Sequence, residues 1–195
     1  MPSELAQHFS QGFCPPAKGL FETVRIPKER IGVLIGSEGK VKRRLEKLAG
    51  VVIEVDSETG DVEIEGKENT ANFYDAVNAV KAIGRGFSPE NAFALLGEEM
   101  LLEIIKVSDV VGGSEKAIQT KKARVIGTGG RAREAIENAT GAKISVLGKT
   151  VAIIGNPESV GLARKGVEML LSGSTHKKAM DFLNRERKGM EKFTL

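Results

Sequence analysis

Two short glycine loops carry the residues best placed to do chemistry. Gly36-Ser37-Glu38-Gly39 and Gly127-Thr128-Gly129-Gly130 each set a pair of glycines around a two-residue turn. Basic residues crowd both. Lys40, Arg43 and Arg44 follow the first loop, Arg131 and Arg133 follow the second, and Lys122 and Arg124 precede it. Glycine lets a backbone come close to a ligand, and a helix opening at Lys40 or Arg131 presents unpaired amides and its positive dipole end at the same point. The chemistry this supports is anion binding, with phosphate the best match. The loops are unequal, because Glu38 puts a carboxylate where the anion would sit and Thr128-Gly129 puts none. No nucleophile, base and oxyanion site assemble along the chain, so the expectation is a binding protein and not an enzyme.

The elements that must position these loops also occur twice. Gly36, Gly39, Leu45, Gly50 and Ile53 map onto Gly127, Gly130, Ile136, Gly141 and Ile144 with one offset of 91 residues. A chance turn motif would not hold register through a helix and a strand, so the repeat marks a duplicated unit. In the first copy, Leu20 to Pro27 suits a strand and Glu29 to Ile35 a short helix; Val41, Leu45 and Leu48 then recur at helical spacing until Gly50 stops them. Strands follow at Val51 to Val55 and Val62 to Ile64. A helix over 69–83 with an apolar stripe of Ala71, Tyr74, Val77, Val80 and Ile83 closes the unit.

Ser88-Pro89 starts a helical connector, and the second copy runs through strand 101–107, helix 114–126, helix 131–140, strands 142–147 and 150–154, and a helix from Asn156-Pro157 to Leu171. Gly66 and Gly155 differ by 89, so the second hairpin is two residues tighter. The organisation expected is a flexible lead-in over 1–18, a first unit over 19–86, a linker over 87–99, a second unit over 100–173 and a basic C-terminal helix over 174–195. That last helix carries Met180, Phe182 and Leu183 on its apolar side. It would cap the second unit, extend the basic surface or dock on a partner.

Composition narrows the function classes. Net charge is only +3, but it is polarised: Lys116 to Arg133 holds six basic residues and no acidic one, and Glu54 to Glu68 holds seven acidic residues and one lysine. Cys14 is the single cysteine, which excludes an internal disulfide framework and a thiolate cluster and points to a reducing, cytoplasmic setting. No stretch reaches membrane-spanning length and no apolar signal core opens the chain. His8 and His176 lack companion spacing for a metal, and neither a metal nor another cofactor is expected. Gly148-Lys149-Thr150 resembles the end of a nucleotide-binding loop, but Gly141 lies too far upstream and the segment falls in a hairpin. Eight Phe, one Tyr and no Trp give poor material for an aromatic stacking platform.

The β-α-Gly-x-x-Gly-α-β-β-α order resembles that of the type I KH (K-homology) domain. The second copy carries the resemblance at Val125-Ile126-Gly127-Thr128-Gly129-Gly130, Ile136, Thr140-Gly141-Ala142 and Ile144, and departs from it at Arg133, where many such domains have an aliphatic residue. The first copy has Ala49-Gly50-Val51 in place of Thr-Gly-Ala. The tandem pair, the linker, the stretch from Gly130 to Thr140 and the basic tail, together about Leu20 to Lys188, resemble the archaeal ribosome-assembly KH proteins, similar to the eukaryotic partner-of-Nob family.

The resemblance implies an α+β fold of two tandem type I KH domains joined by a helical linker, with an extra C-terminal helix. It also implies a clamp on about four nucleotides of single-stranded RNA, with bases on an apolar floor. Gly127, Thr128, Gly129 and Gly130 would approach the sugar-phosphate backbone, with Arg131, Arg133, Lys122 and Arg124 pairing to phosphates. Ile126 and Ile144 would border the bases, and one of Ile144 and Val146 would face the core. Gly36, Ser37, Gly39, Lys40, Arg43 and Arg44 would form a weaker second contact. The implied partner is small-subunit rRNA near its 3′ end. The alternative is an adaptor in which one KH unit contacts an assembly nuclease or a translation initiation factor, and a third reading is an accessory subunit of an RNA-processing assembly.

Overall fold

Alternating apolar residues build the first sheet. In the computed structural model, which describes residues 19–66, 72–112 and 114–191, strands β1 (Phe21–Arg25), β2 (Val51–Val55) and β3 (Asp61–Gly66) form an antiparallel sheet in the order β1-β3-β2. Val24 pairs with Val62 and Ile53 with Ile64, so every second side chain points to one face and is buried there. Helices α1 (Lys28–Ile35), α2 (Lys40–Ala49) and α3 (Phe73–Gly84) cover that face through Leu34, Leu45, Val80 and Ile83. The lead-in with His8 and Cys14, and also Ala71, lie outside the described residues.

The stripe expected on α3 is shifted by one residue at its start. Tyr74 is 64% exposed, and Phe73 takes the core position at 2%. A fully apolar ring buries at no polar cost, whereas a buried tyrosine hydroxyl needs a partner. The two rings meet edge to face, 5.3 Å apart.

The second unit repeats the plan with β4 (Leu101–Lys106), β5 (Lys143–Leu147) and β6 (Thr150–Gly155) in the order β4-β6-β5, under α6 (Glu115–Ile126), α7 (Arg131–Thr140) and α8 (Pro157–Leu171). Asn156 accepts the Ser159 amide at 2.8 Å and Ser114 that of Ala117 at 3.4 Å, so the α8 and α6 starts have side-chain caps. The connector is helix α4 (Pro89–Phe93) followed by a single tight turn at Ala94–Leu96. A short helix α5 (Val107–Val111), not evident from the pattern, precedes α6 and buries Val107.

The two sheets differ in what covers their far faces. All six residues of β6 are buried. Val151 and Ile153 pack under the helices of their own unit, while Ala152 and Ile154, with Leu102 and Ile104 of β4, join the core of the first unit. Ser145 adds a hydrogen bond from its hydroxyl to the Arg85 carbonyl, 2.9 Å long. The far face of the first sheet stays open, exposing Phe21, Val52, Glu54, Glu63 and Glu65.

Helix α9 (His176–Glu191) packs on α7 and α8. Ala179 and Leu183 are fully buried there, with Met180 and Phe182 half-buried. Of the roles open to the tail, the structure shows the capping one.

Because Ile154 belongs to one sheet and to the other unit's core, Ile154→Ala is expected to remove about 2–4 kcal/mol of stability. It should also separate one urea unfolding transition into two, followed by circular dichroism. A single transition at the wild-type midpoint would contradict the shared core.

Candidate nucleic-acid interface

Both loops adopt the same backbone, forced by close contact at their first glycine. Gly36 and Gly127 have φ/ψ of 71°/175° and 73°/175°. A Cβ on Gly36 would stand 2.4 Å from Cγ2 of Val41, and one on Gly127 would stand 2.6 Å from Cβ of Ala132, which no side chain can accept. The last glycines, Gly39 and Gly130, are left-handed and sit at the caps of α2 and α7, and neither helix has a side-chain cap. The Lys40 and Arg131 amides that open the helices donate to the Ser37 and Thr128 carbonyls of their own loops, and no side chain closes either helix start against an external acceptor.

The turn centres separate the loops. Glu38 has φ 54° and Gly129 φ 61°, the same left-handed conformation. It costs a non-glycine residue about 1 kcal/mol and costs glycine almost nothing. A Cβ on Gly129 would have nothing within 4 Å, so the second turn lies open to a ligand.

Charge follows the same division. In the first loop Glu38 pairs with Lys40 at 3.3 Å, Arg43 donates to the Glu38 carbonyl, and the Arg44 guanidinium lies over the Phe93 ring at 5.3 Å. Its cations are engaged within the molecule. In the second loop the side chains of Arg131 and Lys122 have no hydrogen-bond or ion-pair partner among the described residues, and no carboxylate occupies the turn.

The other basic residues of the second site do different work. Arg133 lies on the flank of α7 that faces β5; its Nε is 3.8 Å from Glu137 and its Nη2 is 3.9 Å from Glu134. Glu137 in turn accepts the Ile144 amide at 2.7 Å. The first unit has the same relay, with Lys42 on Glu46 at 3.1 Å and Glu46 accepting the Ile53 amide at 2.9 Å. These residues keep the offset of 91, so Glu46 and Glu137 were detectable as part of the repeat although their role was not. Each relay ties a loop-bearing helix to its sheet.

Arg124 is a correction to the phosphate set. Its Nη2 donates to the carbonyls of Ser174 at 2.5 Å and Gly173 at 3.3 Å, and its own carbonyl meets His176 Nε2 at 2.8 Å. It fastens the α8–α9 connection.

Ile144 is a second correction. It is 2% exposed and belongs to the core. Residues two apart on a strand share a face, so Val146 points the same way and is half-buried, while Ser145 and Leu147 face the first unit. The half-buried Ile126 and Val146 are left to border a groove. Among the described residues no cluster could hold a metal ion, and no helix is long and apolar enough to cross a membrane.

Two antiparallel three-stranded sheets, each under three helices with a Gly-x-x-Gly corner between the first two, define a tandem type I KH protein. A KH-domain family model matches residues 21–80, and a model described as the eukaryotic type KH domain, KH-domain type I, matches 101–188. The chain is 45% identical to a KH domain-containing protein of Methanocaldococcus jannaschii over 88% of its own length and 76% of that protein's. It is 30% identical to RNA-binding protein pno-1 of Caenorhabditis elegans, covering 90% of this chain and 65% of that one. Dim2p from Pyrococcus horikoshii superposes with a TM-score of 0.80 at 45% identity, over 85% of this chain and 99% of that one. A chain from the a/eIF2alpha-aDim2p-rRNA complex of the same organism gives 0.84 at 44% identity, over 89% and 97%. The chain belongs to the PNO1/Dim2 family of tandem KH proteins.

Glu137→Ala leaves the Ile144 amide without its acceptor, which is expected to cost about 1–3 kcal/mol in urea unfolding. Hydrogen exchange at Ile144 should accelerate together with that loss. Unchanged exchange at Ile144 would show that the relay does not hold the helix to the strand.

Proposed function

We propose that the protein is a non-catalytic RNA-binding factor in pre-rRNA processing, which clamps single-stranded small-subunit rRNA near its 3′ end. The second loop is its main clamp. The observation that carries this reading is the electrostatic contrast between two loops of identical backbone. At Gly127–Gly130 a helix start without a side-chain cap, an open glycine turn and the unpaired Arg131 side chain meet, with Lys122 further back on α6, whereas Glu38 and its ion pair occupy the first loop. Thr128 is exposed at the tip, and Gly127, Gly129 and Gly130 bring backbone rather than side chain to the strand. Gly36, Ser37, Gly39, Lys40, Arg43 and Arg44 form the weaker contact.

The names of relatives agree in kind. A Debaryomyces hansenii relative is called pre-rRNA-processing protein PNO1, and the Pyrococcus Dim2p has been crystallised with rRNA and a/eIF2alpha. Those partners and a cytoplasmic site of action come to this chain as part of the proposal.

A second role, as a protein adaptor, is favoured by the open face of the first sheet. Glu63 and Glu65 stand there beside Glu54, with Phe21 and Val52 at the flanks. Glu54 and Glu63 are direct cross-strand partners, an arrangement that is unfavourable in isolation and repels phosphate. A protein partner with a basic, partly apolar surface fits this face, and an assembly nuclease or a translation initiation factor is the class proposed.

Fluorescence anisotropy with a labelled single-stranded RNA ending in the small-subunit 3′ sequence tests the clamp. Thr128→Asp with Gly129→Asp is expected to weaken binding at least about 30-fold, and Ser37→Asp less than about 3-fold. If two or three phosphates are neutralised, log affinity should fall with log salt at a slope of about −1.5 to −2. The reverse order of the variants would overturn the ranking of the loops, and no binding at low salt would overturn the RNA reading.

A further inference from the structure

Beside the second loop, on the flank of α7 away from β5, a cleft of about 380 Å³ opens between α7, the end of α8 and the start of α9. Gly127, Thr128 and Arg131 form its rim, Ala132 and Ala135 one wall, and His176 and Met180 the other. Leu170 and Ala179, both buried, close its apolar floor. No carboxylate lines it.

We propose that this cleft binds one unstacked nucleobase of the RNA strand, next to the phosphate held by the loop; the assignment rests on the clamp reading above. Three features point to this occupant. The rim residues are those of the anion site, so a nucleotide whose phosphate lies on the loop reaches the cleft without spanning any further surface. Its volume falls in the range of sites for small ligands, and its lining is mostly apolar with few polar groups at the edge. The walls are soft: the Met180 thioether is polarisable and suits contact with an aromatic face, and the His176 ring is held by its 2.8 Å contact with the Arg124 carbonyl.

The repeat supplies a control within the molecule. Ala135 corresponds to Arg44 at the offset of 91. In the first unit that long side chain lies across Phe93 of α4, the helix that follows α3 as α9 follows α8. In the second unit the methyl of Ala135 leaves the space empty. The Arg124 bonds to Gly173 and Ser174 fix where α9 starts, so the cleft is formed before any ligand arrives.

The test uses the full chain and the same labelled RNA, with 4-thiouridine placed at successive positions. Irradiation of the wild-type complex is expected to crosslink one position to Met180 or His176. Ala135→Leu, which fills the cleft with a good helix former, should weaken binding about 10-fold, the scale of one stacked base. An abasic ribose at the crosslinking position should then make wild type and Ala135→Leu bind equally. Crosslinks confined to α6 and β5, or Ala135→Leu binding like wild type, would overturn the cleft assignment. If Thr128→Asp/Gly129→Asp abolishes binding in the same series, the clamp stands without the cleft. If the wild type binds no RNA, both fall.

Discussion

The close approach at the first glycine of each loop is the constraint on which the rest of the site depends. With Gly127 pressed against Ala132, the chain reverses direction within four residues and starts α7 without a side-chain cap. A larger residue there would push α6 and α7 apart. The relay from Glu137 to the Ile144 amide then holds the α7 flank to β5, so the loop is presented on a rigid frame. Binding sites placed this way lose little conformational entropy when a ligand arrives.

Duplication preserved that frame and altered its use. Both units keep the glycine corner, the left-handed turn centre and the acid that ties helix to strand. The first unit tolerates a strained Glu38 and engages its cations internally, which leaves it poorly suited to a polyanion. The second removes the side chain at the turn and leaves Arg131 facing solvent. Surface ion pairs such as Glu38–Lys40 add little to stability, so their effect is mainly on the local field.

The units are also unequal in how they are buried. The central strand of the second sheet, β6, is covered on both faces, by its own helices and by the first unit, and carries apolar residues on each. The first sheet keeps one face in water and carries its acidic residues there. The basic second loop and the acidic open face of the first sheet thereby lie on different units of the chain.

Much of this was legible in the sequence, because it follows from local rules. Glycine spacing determines where φ turns positive, Ser88, Ser114 and Asn156 determine helix starts, and the offset of 91 determines that there are two units. Several assignments required the tertiary structure. Periodicity shows which residues are apolar but not what covers them, so the two-sided burial of β6 and the full burial of Ile144, with Val146 on the same face only half-buried, required the packed structure. Arg124 looks like any loop-flanking cation until the α8–α9 turn brings the carbonyls of Gly173 and Ser174 to it. The exchange of Tyr74 for Phe73 was decided by the polar cost of a buried hydroxyl. Sequence alone determined the loops and their order; long-range packing decided which charges stay free to meet a ligand, since that depends on residues some fifty positions away in the chain.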